Sequence, residues 1–151
     1  MSERPAPDFT LSATGNQSIT LSALRGRKVV IYFYPKDNTP GCTNETRDFA
    51  TLHAAFAEAS CEVFGISRDS LKSHENFKAK LALPFELISD PDEAACEAFG
   101  VMKLKNMYGK QVRGIERSTF LIDSAGNIAR EWRGVKVAGH AEEVLAAARG
   151  L

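Results

Sequence analysis

The sequence predicts an α/β fold: a mixed central β-sheet flanked by helices, with an N-terminal β-hairpin. Three observations predict it. Two continuous apolar runs, residues 29–34 (VVIYFY) and 62–67 (EVFGIS), enclose a segment of helical period. A helix–strand–helix pattern then recurs over residues 70–99. A strand pair with a tight-turn signal and an Ala-rich helix close the chain.

In chain order, residues 10–24 alternate in short patches around Thr14-Gly15-Asn16, the signal of a hairpin. Residues 29–34 are β-branched and aromatic without polar interruption, as in a strand covered on both faces. From Cys42, at about 100° per residue, Phe49, Phe56 and Leu52 fall within about 80° of the sulfur, while Arg47, Thr51 and Glu58 lie opposite. That amphipathic pattern predicts one helix over residues 42–59. Strand, helix and strand at this length require a right-handed crossover and parallel pairing. A helix over residues 70–81, a strand over 85–88 and a helix over 92–99 follow. The basic, Gly-containing stretch 102–117 reads as a solvated loop. Strands over 118–122 and 127–132 flank the turn signal Asp123-Ser124-Ala125-Gly126, and HAEEVLAAAR forms the last helix. No repeat or linker divides the 151 residues, so one domain over 1–151 is expected.

Lys+Arg and Asp+Glu both total 19, which provides no overall field to attract nucleic acid or anionic lipid. Three cysteines are an odd count in a chain large enough to need no stapling, which points to a reduced, cytoplasmic protein. MSERPAPDFT has charges and prolines where a signal peptide has an apolar run, and no stretch approaches a membrane span.

The chemistry centres on YPKDNTPGCTNETR, residues 34–47. Cys42 follows a Pro-Gly turn and enters a helix, where unpartnered amides and the positive end of the macrodipole favour a thiolate. Thr39 can aim a hydroxyl at whatever approaches the sulfur, and Pro35 and Pro40 stiffen the loop. A buried structural cysteine is the alternative reading of such a position. The spacing Pro35-x3-Thr39-x2-Cys42, with Arg117 in ERSTFLID, resembles the peroxiredoxins. TPGCTNE and KLKNMYGKQVRGIER are similar to the bacterioferritin comigratory protein, or Q-type, branch, and the likeness spans nearly the whole chain.

That resemblance implies a thioredoxin-like fold and a thiol-dependent peroxidase acting on hydrogen peroxide and organic hydroperoxides. It implies that Cys42 is the peroxidatic nucleophile, oxidised to a sulfenic acid. Thr39 and Arg117 would stabilise the transition state, Pro35 would shield the sulfur, and Glu45 would orient Arg117. No metal or prosthetic group is implied, and Q-type relatives are commonly monomeric.

Many relatives carry a resolving cysteine five positions after the first; here position 47 is Arg. Others place it on the next helix, and SLKSHENFKAKL has none. Cys61, at the entry to a strand, reads as structural. Cys96, on the shoulder of a helix, is the remaining candidate resolving cysteine. The expectation is therefore one-cysteine turnover by an external thiol, thioredoxin or glutathione with glutaredoxin. The alternatives are a two-cysteine peroxidase using Cys96 and a non-catalytic redox sensor or holdase. A dithiol oxidoreductase would need a nearby second cysteine, which Cys42-Thr43-Asn44-Glu45 lacks. His53 and His74 read as satisfied, partly buried histidines, His140 as the start of the last helix, and Trp132 as a packing residue; three scattered histidines give no metal site. The 102–117 stretch could attract an anionic thiol or donor through Lys103 and Lys105.

Overall fold

The computed structural model describes residues 4–151, apart from the side chains of Lys105 and Met107. The first three residues of the N-terminal stretch, and Lys105's part in the basic stretch, thus lie outside the described residues. Strands β1 (Thr10–Ala13) and β2 (Gln17–Thr20) form the expected hairpin, and a 3₁₀ turn follows over Leu21–Leu24. Then come β3 (Lys28–Phe33), α1 (Pro40–Thr51), α2 (His53–Glu58), β4 (Cys61–Ser67), α3 (Leu71–Leu81), β5 (Leu87–Ser89) and α4 (Ala94–Ala98). The chain ends with β6 (Met102–Met107), β7 (Lys110–Ile115), β8 (Ser118–Ile122), β9 (Ile128–Arg133) and α5 (His140–Arg149).

Seven strands make one mixed sheet in the order β2-β1-β5-β4-β3-β8-β9. The β3–β4 and β4–β5 pairs are parallel, and the others antiparallel. Alternation along β3 sends Val29, Ile31 and Phe33 to one face and Val30 and Tyr32 to the other. The first face packs Ala95, Cys96 and Phe99 around α4 together with the N-terminal hairpin. The second buries Phe49 of α1, Phe56 of α2, Phe77 of α3 and Val144 of α5. Among the described residues, no helix is long and apolar enough to cross a membrane.

Two expectations need correction. The helix over 42–59 is two helices, starting two residues earlier at Pro40 and broken at Leu52 (φ −93°, ψ 2°). Both segments turn apolar residues to the same core, so a one-residue break leaves the 3.6-residue period legible across it. The basic stretch 102–117 contains a β-hairpin, not a loop. Met102 pairs with Ile115, and Tyr108 and Gly109 make the tight turn at φ 53° and 78°. The polar run Lys110-Gln111 and Arg113-Gly114 in β7, and a tyrosine where turns of this kind favour Asn or Asp, hid the pattern.

Candidate active site

Cys42 is set by the way α1 docks on the sheet. Tyr32 stacks on Phe49 at 4.7 Å between centroids, and its hydroxyl donates to Thr46 Oγ1 at 3.1 Å. Gly65 lies opposite Tyr32 on β4; a Cβ there would meet the Tyr32 ring at 2.7 Å, so glycine makes room for the ring that holds α1. The helix opens with Thr39 as N-cap in extended backbone and Pro40 at the first position, where a missing N–H costs nothing. Thr39 makes no side-chain cap bond; its hydroxyl donates to the Lys36 carbonyl at 2.8 Å. The hydroxyl oxygen keeps its acceptor capacity, and the side chain does not occupy the first-turn amides.

Arg117, between β7 and β8, reaches this helix start from the far part of the chain. Its Nη2 donates to Cys42 Sγ at 3.4 Å, and its Nη1 pairs with Glu45 Oε1 at 2.7 Å. Its carbonyl accepts from the Val135 amide at 3.0 Å, which anchors the backbone. Gly41 permits the approach, since a Cβ there would stand 3.2 Å from Nη2. Cys42 is buried at 1% exposure, but its sulfur touches a cation and is not enclosed by hydrocarbon alone.

Glu45 is equally buried, and its Oε2 has no hydrogen-bond partner among the described residues. Burial pushes its carboxyl up to about 7, against the opposing pull of the Arg117 charge and hydrogen bond. The guanidinium, in turn, is raised: its burial is outweighed by the charges of Glu45 and Cys42. Desolvation thus costs the carboxylate more than its single ion pair returns. Glu45 holds a proton to higher pH in the folded chain than in the unfolded one. Its stabilising contribution is complete below its ordinary value of 4.5 and is lost as pH rises through about 7. Urea unfolding midpoints at about pH 5 and about pH 8 are expected to show this fall in the wild-type protein and a smaller one in Glu45→Gln.

Residues 3–131 match the AhpC/TSA family. Peroxiredoxin Bcp of Xanthomonas campestris pv. campestris is 58% identical over 93% of this chain and 88% of its own length. Peroxiredoxin Bcp of Bacillus subtilis is 49% identical over 93% and 89%. A solved structure of Xanthomonas campestris bacterioferritin comigratory protein, described for its alkyl peroxide reduction activity, superposes with a TM-score of 0.91. It is 56% identical and covers 94% of this chain and 90% of that one. The chain belongs to the bacterioferritin comigratory protein, or Q-type, peroxiredoxins.

This peroxiredoxin is thus a thiol-dependent peroxidase with a thioredoxin-like fold, taking a peroxide as substrate and a thiol as reductant. Of the residues expected at its site, the fold brings Cys42, Arg117 and Glu45 into direct contact. It places Thr39 one helical turn before the sulfur and half-buried Pro35 at the exit from β3. Cys96 does not lie on a half-wet shoulder. It is fully buried on the opposite face of the sheet from Cys42, because α4 is short and packs Ala95 and Cys96 together into that core. Burial and the neighbouring Asp90 push its thiol far up. Cys61 shares the Cys42 face but pairs with Lys28 at the start of β3, while Cys42 lies beyond the strand's other end. Five strand steps separate those ends by about 16 Å, far beyond disulfide reach.

Asp37 escaped sequence reasoning, whereas His74 is, as expected, a satisfied histidine. Asp37 and His74, with Asp69, bring ligand-type atoms within 4.8 Å of one another. His74 is wholly buried rather than partly so. Both of its ring nitrogens already have protein partners, Asp37 Oδ2 at 2.8 Å and the Ile88 carbonyl at 3.0 Å. The available signal was the placement of His74 three residues before buried Phe77 on α3, a buried polar position that demands a partner. His140 opens α5 as expected and meets Thr119 Oγ1 at 2.8 Å. His53 is half-buried against Phe85.

Proposed function

We propose that Cys42 is the peroxidatic nucleophile of a one-cysteine cycle that reduces hydrogen peroxide and small organic hydroperoxides. The contact between Cys42 Sγ and the Arg117 guanidinium, itself tied to Glu45, carries this reading. The thiolate attacks the terminal peroxide oxygen: an S–O bond forms, the O–O bond breaks, and the alkoxide or hydroxide takes a solvent proton. Arg117 and the first-turn amides of α1 stabilise charge moving from sulfur to the leaving oxygen. Thr39, whose proton is held by Lys36, acts toward the peroxide as an acceptor and orients its O–H. Pro35 shields the sulfur from water. The alkyl peroxide reduction of the Xanthomonas campestris relative supports organic peroxides as substrates.

An external thiol then attacks the sulfenic sulfur, releasing water, and a second thiol frees Cys42 as the outgoing disulfide forms. Position 47 is Arg, Cys96 lies across the sheet, and burial pushes the Cys61 thiol up to about 12, so neither is a ready internal nucleophile. Thioredoxin, or glutathione with glutaredoxin, fits the role, and a monomer in the cytoplasm is consistent with three unpaired thiols. Peroxide-treated protein analysed by mass spectrometry is expected to carry Cys42 as a sulfenic acid or as an adduct of the added thiol. A rapidly formed disulfide from Cys42 to Cys61 or Cys96 defeats the one-cysteine cycle.

The β6–β7 hairpin is part of the same reading. Arg113 on one of its faces pairs with Glu93 and Glu97, while Lys103 and Val112 lie exposed on the other. Lys103→Glu is expected to slow recycling by an acidic thiol donor by roughly threefold at low salt, leaving Cys42 oxidation unchanged. An unaltered recycling rate removes the hairpin from donor recognition.

A further inference from the structure

The six residues between β3 and α1 carry Thr39 and deliver the chain to Cys42, and they are gripped from one side by α3. Asp37, 4% exposed, is held at every polar atom of its side chain. Its Oδ1 accepts from the Tyr34 hydroxyl at 2.6 Å, and its Oδ2 from Ser73 Oγ and His74 Nδ1, both at 2.8 Å. Its own amide donates to Asp69 Oδ2 at 2.9 Å, and Asp69 Oδ2 also accepts from Ser67 Oγ. Asp37 and His74 thus meet through a buried hydrogen bond, and the other ring nitrogen of His74 lies on the Ile88 carbonyl at 3.0 Å. Burial alone would raise the Asp37 carboxyl; the hydrogen bond and charge of His74 overcome it and hold it below its usual range.

The neighbouring residue shows why the loop needs holding. Asn38 sits at φ 63°, a left-handed conformation that a residue with a side chain adopts at a cost. Lys80, also on α3, donates to its Oδ1 at 3.2 Å. One helix thus fixes two successive residues of the loop. The turn they define presents the Lys36 carbonyl to the Thr39 hydroxyl.

We infer that Asp37 and His74 are positioning residues for peroxide reduction: their pair sets the loop that aims the Thr39 hydroxyl and the first-turn amides of α1 at the peroxide beside Cys42. Neither residue touches the reacting atoms; they act through Thr39 and the helix start. The inference rests on Cys42 being the nucleophile, and its test separates the two claims.

The rates of Cys42 oxidation by hydrogen peroxide and of Cys42 alkylation by iodoacetamide are measured by rapid quench and mass spectrometry in wild type, His74→Gln and Ser73→Ala. Alkylation needs the thiolate but no hydrogen bonds directed at peroxide oxygens. A misplacement near 1 Å in such groups costs on the order of 100-fold, so oxidation of His74→Gln is expected to fall roughly 10- to 100-fold with alkylation within about twofold. Ser73→Ala removes one bond to Asp37 and leaves the one from His74, and a smaller fall of about threefold with the same split is expected. Wild-type oxidation in a folded His74→Gln protein overturns the inference, as does an equal loss of both rates. If His74→Gln does not fold, Ser73→Ala decides by the same criterion. Peroxide consumption that persists in Cys42→Ser rejects the nucleophile instead, whatever the other variants show.

Discussion

Cys42→Ser is expected to abolish catalytic peroxide consumption, lowering the turnover rate by at least roughly four orders of magnitude. The change replaces sulfur by oxygen and little else. A serine hydroxyl at neutral pH is protonated and weakly nucleophilic, whereas a thiolate attacks a weak O–O bond readily. Serine can still accept from Arg117 Nη2, so the Arg117–Glu45 pair and the docking of α1 stay in place. Stability is therefore expected to move by no more than about 1 kcal/mol, as denaturant unfolding would show. A coupled assay with a thiol reductant checks the rate. Sustained turnover in the variant would place the nucleophile elsewhere, and only stoichiometric oxidation of the wild type would favour a sensor. The variant carrying both Cys61→Ser and Cys96→Ser serves as the companion, and it should keep turning over with an external thiol.

Arg117→Met has the second-largest expected effect, and it acts on rate and stability together. Loss of the guanidinium removes the donor 3.4 Å from the sulfur, which is expected to slow Cys42 oxidation by roughly 10²- to 10³-fold. It also leaves Glu45, which is 1% exposed, without a partner among the described residues. The buried carboxyl then keeps its proton rather than standing as a bare charge, and an unsatisfied buried group costs about 1–3 kcal/mol. The two losses are separable. At about pH 8, where keeping that proton costs most, adding Glu45→Gln is expected to recover part of the stability and none of the rate. If rate returns together with stability, Arg117 is structural rather than a participant in the chemistry.

The parts of the fold legible in the sequence are those with a local cause. Residues 29–34 and 62–67 read as buried strands because unbroken β-branched and aromatic runs have few other stable uses, and they became neighbouring parallel strands. The turn at Gly15-Asn16 and the final helix were also visible, from turn chemistry and composition. Misread segments were those in which two causes overlap. The break at Leu52 does not disturb the apolar phase shared by α1 and α2, and β7 is mostly polar and exposed, so the hairpin lacks a second strand with an apolar face to announce it.

For the site, PxxxTPGC and the helix start were enough to single out Cys42, because the motif concentrates the turn, the hydroxyl and the thiol within eight residues. Sequence alone also removed the nearby resolving positions, since Arg47 and an α3 without cysteine are plain in the string of letters. What lay beyond it were distances between remote residues. Arg117 stands 75 residues from Cys42, and only the pairing of β3 with β8 brings its guanidinium to the sulfur. The position of Cys96 across the sheet, and the grip of His74 on Asp37 from 37 residues away, depend on which faces the helices cover. Side-chain chemistry is a property of each residue, but burial and opposing charge are properties of the packing. The chain order therefore determined which atom is the candidate nucleophile, and the tertiary structure decided what surrounds it.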